Sequence, residues 1–278
     1  MSRRIAYLGP PGTYSEQAAL AYDAAAERLP FPSVMAAAAA VEQGKADEAV
    51  VAIENSIEGS VTDTLDMLIH DSRLCIRKEL VISIDHCLLA KPGQRAAAVE
   101  VVFSHSNALG QCREYLAEHF PRASVTASLS TVKAVEDMLA SARRAAAIAP
   151  RRAADLYKVD VLAEGIQDRG GNETRFVVLA QHDSPRTGDD KTSIAFSFAE
   201  EDKPGQLHRA MGEFANRGIN LNKIESRPSK ESLGRYVFLV DLAGHREDAP
   251  LRDALKQVSS MTIMCKVFGS YPRFRRNA

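Results

Sequence analysis

Short apolar runs alternate with alanine-rich stretches of helical period from residue 5 to about residue 180. Strand-like runs fall at 5–8, 49–53, 81–90, 100–104, 145–149 and 175–180. Helical patterns fill 13–29, 35–43 up to Gly44, 62–70, 108–120, 131–140 and 150–157. Strands that alternate with helices predict an α/β domain with a largely parallel sheet, because parallel neighbours need a crossover element between them. The pattern breaks at 181–190, a polar stretch with Pro185 and Gly188 and no period, which predicts a linker. Beyond it come strand-like runs at 192–198, 235–242 and 261–268, with helices at 205–217, closed by Gly218, and at 252–259. That order predicts a β-α-β-β-α-β unit, an α+β ferredoxin-like sandwich.

Length and charge narrow the function. The 278 residues are enough for two cores at roughly 150 residues each. Lys plus Arg number 35 against 36 Asp plus Glu, so no global field selects nucleic acid or an anionic membrane, and any anion site must be local. No apolar run approaches the roughly 20 residues that span a bilayer, and residues 1–4 lead straight into the first strand. A cytoplasmic protein is expected. Cys75, Cys87, Cys112 and Cys265 are scattered, without Cys-x-x-Cys pairs or nearby histidines, which predicts buried free thiols and no metal site.

Three loops carry candidate chemistry. Gly9, Pro10, Pro11, Gly12, Thr13, Tyr14 and Ser15 follow the first strand, and Thr13 with Glu16 fits a capping box. The helix start there offers N–H groups and a positive dipole end to an anion, although a tight turn without a ligand explains the pattern as well. The loop lacks both Gly-Lys-Ser/Thr and Gly-x-Gly-x-x-Gly, so it is not a nucleotide loop. Glu54, Asn55 and Ser56 follow the strand at 49–53, at the carboxyl end where α/β sheets place ligands. Asn55 and Ser56 also suit a plain turn. Gly170 and Gly171 precede Asn172, Glu173, Thr174, Arg175 and Phe176, where Arg175 offers a fork for one carboxylate and Thr174 a hydroxyl. Ser104, His105, Ser106, Asn107 and Gln111 form a further polar cluster, and Ser128, Ser130 and Thr131 another. Ser130 is most simply an N-cap, and His105 is the histidine such loops offer.

Taken together, Gly9 to Ser15, Glu54-Asn55-Ser56 and Asn172 to Phe176 resemble the signature segments of the prephenate dehydratase family, in order and spacing. Residues 191–272 resemble an ACT regulatory domain, with Pro204-Gly205-Gln206-Leu207 before the first helix and Glu225-Ser226-Arg227-Pro228 after it. The latter matches the Glu-Ser-Arg-Pro motif of phenylalanine-regulated dehydratases. Gly205-Gln206-Leu207 departs from the Gly-Ala-Leu often found in that family.

The resemblance implies a catalytic domain over 1–182, built as two lobes like a type 2 periplasmic binding protein, with crossovers near 80 and at 160–166. It implies a monofunctional, cofactor-free lyase that turns prephenate into phenylpyruvate, water and carbon dioxide. Thr174 would serve the departing hydroxyl, with Glu54 as a second acid and Asn55 beside them. Thr13, Tyr14, Ser15, Ser104, Gln111, Ser130, Thr131, Arg175 and Phe176 would bind substrate. Arg175 would take the pyruvyl carboxylate, since clamping the carboxylate that must leave would stabilise the ground state. L-phenylalanine would bind at a subunit interface near Gly205, Gln206, Leu207, Asn220, Leu221, Glu225, Ser226, Arg227 and Pro228, in a homo-oligomer, dimer or tetramer. An arogenate dehydratase, or a non-catalytic amino-acid sensor on the same scaffold, fits the same residues.

Overall fold

A computed structural model describes residues 2–199, 203–230 and 234–276. The chain forms two compact units, one of residues 1–37, 50–61 and 81–176 and the other of 38–49, 62–80 and 177–278.

In the first unit a five-stranded sheet runs Asp160–Glu164, Cys87–Ala90, Ala145–Ala149, Val101–Ser104, Ser124–Ala127. Val101–Ser104 pairs in parallel with both neighbours, whereas Cys87–Ala90 pairs antiparallel with both of its own. The sheet is therefore mixed rather than largely parallel. Leu89, Val101, Ala147, Val135 and Met138 pack on one face, and Leu88, Val102, Ile148, Cys112 and Leu116 on the other. Burial on both faces explains why its central strands read as unbroken apolar runs. The unit's second sheet orders Glu27–Phe31, Arg4–Leu8, Glu48–Asn55, Glu173–Ala180 and Cys75–Ser83, with Gly59–Ser60 added to Glu48–Asn55. The last three of the five enter the unit by residues 50–55, 173–176 and 81–83.

Several local expectations give way here. The helix expected over 13–29 stops at Tyr22, where Asp23 N–H closes onto Ala19 O and the Asp23 carboxylate accepts from Ala25 N. Residues Glu27–Phe31 then pair in parallel with Arg4–Leu8, so sheet pairing overrides the helix propensity of Ala24 to Ala26. The run at 81–90 is two strands, Cys75–Ser83 and Cys87–Ala90, in different sheets. The helix at 108–120 breaks at Cys112 into Ser106–Gln111 and Arg113–His119, and the Asp168 carboxylate accepts from Glu114 N and Tyr115 N to start the second. Gly59–Ser60, Ser124–Ala127 and Asp160–Glu164 are further strands outside the expected set.

In the second unit the strands Leu221–Pro228, Tyr236–Ala243, Asp190–Ser197 and Met264–Pro272 form an antiparallel sheet in that order. Helices Gln206–Ala215 and Ala249–Ser260 cover one face through Ile194, Phe196, Phe214, Val240, Leu251 and Val258. This is the ferredoxin-like order that the pattern predicted, and Leu221–Pro228 is its second strand. The segment 181–190 does not behave as a loose linker. Ser270 N and Arg246 Nη2 both donate to Asp183 at 2.9 Å, and Thr187 N donates to Asp190 at 2.9 Å. Residues 62–80 belong to this unit: Thr62–Asp66 is α-helical, and Met67–Asp71 widens into a π turn where Ser72 N–H reaches Met67 O.

Candidate active site

The second and third loops meet in the first unit through backbone and amide groups. After the strand Glu48–Asn55 the chain folds back on Asn55, whose Oδ1 accepts from Ile57 N and Glu58 N, both at 2.9 Å. This is an Asx turn, the plain reading of the residue, and it has a further consequence. With Oδ1 occupied by two fixed donors, the other end of the side chain must be the NH₂ group. That group donates to Asn172 Oδ1 at 2.7 Å and to Thr174 Oγ1 at 2.8 Å, with Glu173 O at 3.2 Å. Ser56 N donates to Glu173 O, and Glu173 N donates to Ser56 Oγ, so the two loops are also clipped together by their backbones.

The relay continues away from Thr174. Asn172 Nδ2 donates to Gln111 Oε1 at 2.9 Å, and Gln111 Nε2 donates to Glu58 Oε1 at 3.0 Å. His86 Nε2 lies 3.0 Å from the same Gln111 Oε1, and His86 Nδ1 lies 3.0 Å from the Tyr14 hydroxyl, which also reaches Asp85 O at 2.8 Å. Burial pushes the His86 imidazole below its ordinary value, although the Gln111 bond and the Asp85 charge oppose this. Burial also holds the Tyr14 phenol well above its ordinary value, with Cys87 and Asp85 adding to the effect. Near neutral pH the cluster therefore carries a neutral imidazole and a neutral phenol. Gln111 lines a cavity of about 500 Å³ with Ile57, Arg113 and Arg169. Tyr14 lines another of about 480 Å³ with Asp85 and Arg151. Both volumes lie in the range that takes small molecules.

Other expected residues sit differently. Arg175 Nε is 3.4 Å from Glu54 Oε2, so the guanidinium is steadied by a carboxylate of its own chain. The Phe176 side chain is 1% exposed and belongs to the core rather than to a ligand surface. Ser104 is fully buried and its hydroxyl donates to Ile148 O at 2.7 Å, a bond internal to the sheet. Ser130 caps its helix through Lys133 N, and Thr131 is the half-buried residue that follows. His105 is likewise a cap, accepting from Asn107 N. In the first loop Thr13 accepts from Glu16 N, but the Glu16 carboxylate reaches Gly12 N at 2.7 Å and fills that anion position from within the chain. Ser15 lies in the first helical turn. His86 and Glu58 were not among the expected site residues, and Asn172 was expected only as a member of its loop. The signal for His86 was a polar pair, Asp85-His86, interrupting an otherwise apolar run.

The expected effector residues fall into two groups. Gly205, Gln206 and Leu207 line a cavity of about 280 Å³ with Phe198, Tyr236 and Phe238. Gly205, at φ 83°, sits where the helix starts. Asn220 bonds to Asn222, and Leu221, Glu225, Ser226, Arg227 and Pro228 lie on the strand Leu221–Pro228. There Arg227 bridges Glu225 at 3.4 Å and Asp66 at 3.2 Å.

A mixed α/β body with a buried polar relay, joined to a four-stranded βαββαβ module, defines a small-molecule enzyme with an appended regulatory-type domain. Residues 5–184 match the family model described as prephenate dehydratase, and residues 193–260 match the ACT domain. A bifunctional chorismate mutase/prephenate dehydratase of Aquifex aeolicus is 44% identical over 97% of this chain and 74% of its own length. A prephenate dehydratase of Arthrobacter aurescens, solved with L-Phe, superposes with a TM-score of 0.88 at 36% identity, covering 97% of this chain and 90% of that one. GqqA, described as a novel type of quorum-quenching acylase, superposes at 0.86 with 31% identity, covering 97% and 98%. The chain belongs to the prephenate dehydratase family, whose members are lyases.

Proposed function

We propose that the Asn55–Thr174 pair is the centre at which this chain carries out the family's reaction, the decarboxylative dehydration of prephenate. In that reaction the ring carboxylate leaves as carbon dioxide. Its bonding pair moves into the ring, and the hydroxyl on the opposite carbon departs, taking up one proton to become water. Aromatisation supplies the driving force, so the protein's task is to position a dianion and to stabilise the departing oxygen. The observation that carries the reading is the Asn55 amide. It already donates to Thr174 Oγ1, so the threonine's own hydrogen is turned away from Asn55 and is available to the departing hydroxyl. Arg175, steadied by Glu54, suits the pyruvyl carboxylate, and this pairing supports Glu54 as a positioning residue more than as the acid.

The same geometry disfavours acyl transfer by Thr174, which would need a base beside the nucleophile. The neighbour of Oγ1 is an amide donor, and the imidazole nearest in the relay has its Nε2 on Gln111. L-phenylalanine is the effector that the ACT module and the L-Phe-bound relative support, acting on a cytoplasmic homo-oligomer. Among the described residues no helix is long and apolar enough to cross a membrane. The test is Thr174→Ala assayed by formation of phenylpyruvate, with and without L-phenylalanine. Turnover should fall by about 10² to 10⁴, the range of a lost donor to a leaving group, while L-phenylalanine binding persists. Near-normal turnover would remove Thr174 from the reaction. Running arogenate beside prephenate separates the two dehydratase readings.

A further inference from the structure

We propose that His86 is a positioning residue for this reaction, a role that rests on the reading of Asn55 and Thr174 above. Its Nε2–H would pin Gln111 Oε1 and, through it, the Asn172 amide whose Oδ1 takes the Asn55 NH₂ group beside Thr174.

The argument is one of hydrogen-bond polarity and starts from groups that cannot change role. Ile57 N and Glu58 N can only donate, so Asn55 Oδ1 accepts and Asn55 Nδ2 donates. Asn172 Oδ1 therefore accepts, and its Nδ2 donates onward. Gln111 Oε1 in turn accepts, which agrees with its Nε2 facing the Glu58 carboxylate. An oxygen that can only accept, 3.0 Å from His86 Nε2, requires the hydrogen to be on Nε2. In the neutral ring Nδ1 is then an acceptor, 3.0 Å from the Tyr14 hydroxyl, whose single hydrogen it shares with Asp85 O at 2.8 Å. The backbone donors after Asn55 thus dictate a histidine tautomer four bonds away, and the tautomer closes the chain at its far end.

His86 is 3% exposed and its backbone N–H is held by Gln167 Oε1, whose Nε2 donates to Asp85 Oδ1. The ring is thus fixed from its own main chain as well as from both nitrogens. Without the Nε2 donor, Gln111 Oε1 keeps only Asn172, and the amide can turn over to bond elsewhere. Turning it over would put an NH₂ group against Asn172 Nδ2 and displace Asn172 from the Asn55 NH₂ group, whose own orientation Ile57 N and Glu58 N fix.

Two variants separate this from plain packing. His86→Gln returns an NH₂ donor near the Nε2 position, whereas His86→Asn is too short to reach Gln111. For folded variants, the expected result is a kcat for His86→Asn lowered about 10- to 100-fold, with KM for prephenate within about threefold, because the defect lies in orienting a reacting group. His86→Gln should recover most of that loss. Equal kinetics for the two variants, or a loss confined to KM, would overturn the assignment. The protein with ¹⁵N-labelled histidine gives a readout independent of activity and of either variant's folding. Nitrogen shifts should place the hydrogen on Nε2 of His86 near neutral pH, and an Nδ1–H tautomer would refute the proposal. Inactivity of Thr174→Ala together with an Nδ1–H tautomer would refute the His86 role and leave the reaction centre standing. Near-normal turnover of Thr174→Ala would remove the reaction centre and the His86 role with it.

Discussion

Asn55, Asn172 and Gln111 in the first unit meet through neutral amides, whereas in the second unit Glu79, Asp66 and Asp183 meet Lys191, Arg227 with Lys230, and Arg246 through full charges. The difference follows from what each region must hold. An amide has a donor end and an acceptor end, so a string of amides transmits a direction, and a hydroxyl at its end has its proton aimed. An ion pair transmits attraction with little direction, which suits the anchoring of segments such as 62–80 to the βαββαβ module. The buried seam is also close-packed: Gly269, at φ 147°, lies so near the Ile76 backbone that a Cβ there would collide with it. The charged seams should therefore govern stability and its response to pH and salt, and the amides should govern turnover.

The most severe way to break the contrast is Asn55→Asp. One carboxylate oxygen can still accept from Ile57 N and Glu58 N, but the other cannot donate to Asn172 or Thr174. Turnover should fall by at least about 10², read in the phenylpyruvate assay, with a much smaller change in the urea midpoint. Lys191→Met should do the reverse. It leaves Glu79, whose side chain is 1% exposed, without the cation 2.8 Å away, at a cost of about 3 to 5 kcal/mol in urea unfolding. The surviving folded fraction should turn over normally, and Glu79→Leu added to Lys191→Met should restore much of the stability.

A pH series sharpens the comparison further. Burial raises the Asp66 carboxyl, but the Lys230 hydrogen bond and the Arg227 charge outweigh it and hold the group below the usual carboxylate range. A carboxylate lowered on folding contributes stability that is present above its unfolded value, near pH 4, and is lost as pH falls through the folded value. The stability gap between the wild type and Asp66→Asn should therefore be intact at pH 7 and vanish in acid. The smallest effect belongs to Lys230→Ala, because that side chain is 61% exposed: a loss of about 0 to 1 kcal/mol, shrinking further in salt.

Two of the three loops that carried the chemical argument in the sequence meet directly through Asn55 and Thr174, and Gln111 of the further polar cluster joins them through Asn172. Capping logic also held locally, since Thr13 and Ser130 are caps. What escaped the sequence was the destination of each polar side chain. Ser104 and Phe176 occupy positions adjacent to the chemistry, yet the first bonds within its sheet and the second faces the core. His86 was hidden because an apolar run interrupted by two polar residues reads as one strand, whereas the chain there leaves one sheet and enters another. Glu27–Phe31 was hidden by alanines whose helix propensity outweighs the weak signal of a short strand containing Pro30.

The order of residues by itself determined the alternation of strands and helices, the βαββαβ module and the loops in which donors and acids are concentrated. These depend on periodicity, caps and turn residues, all written within a few positions of one another. Only the tertiary structure decided which of those groups face each other: Asn55 with Thr174, 119 positions on, His86 with Gln111, and Arg227 with Asp66. Hydrogen-bond polarity and charge pairing are properties of contacts between distant segments, and no local pattern encodes the direction in which a particular amide points.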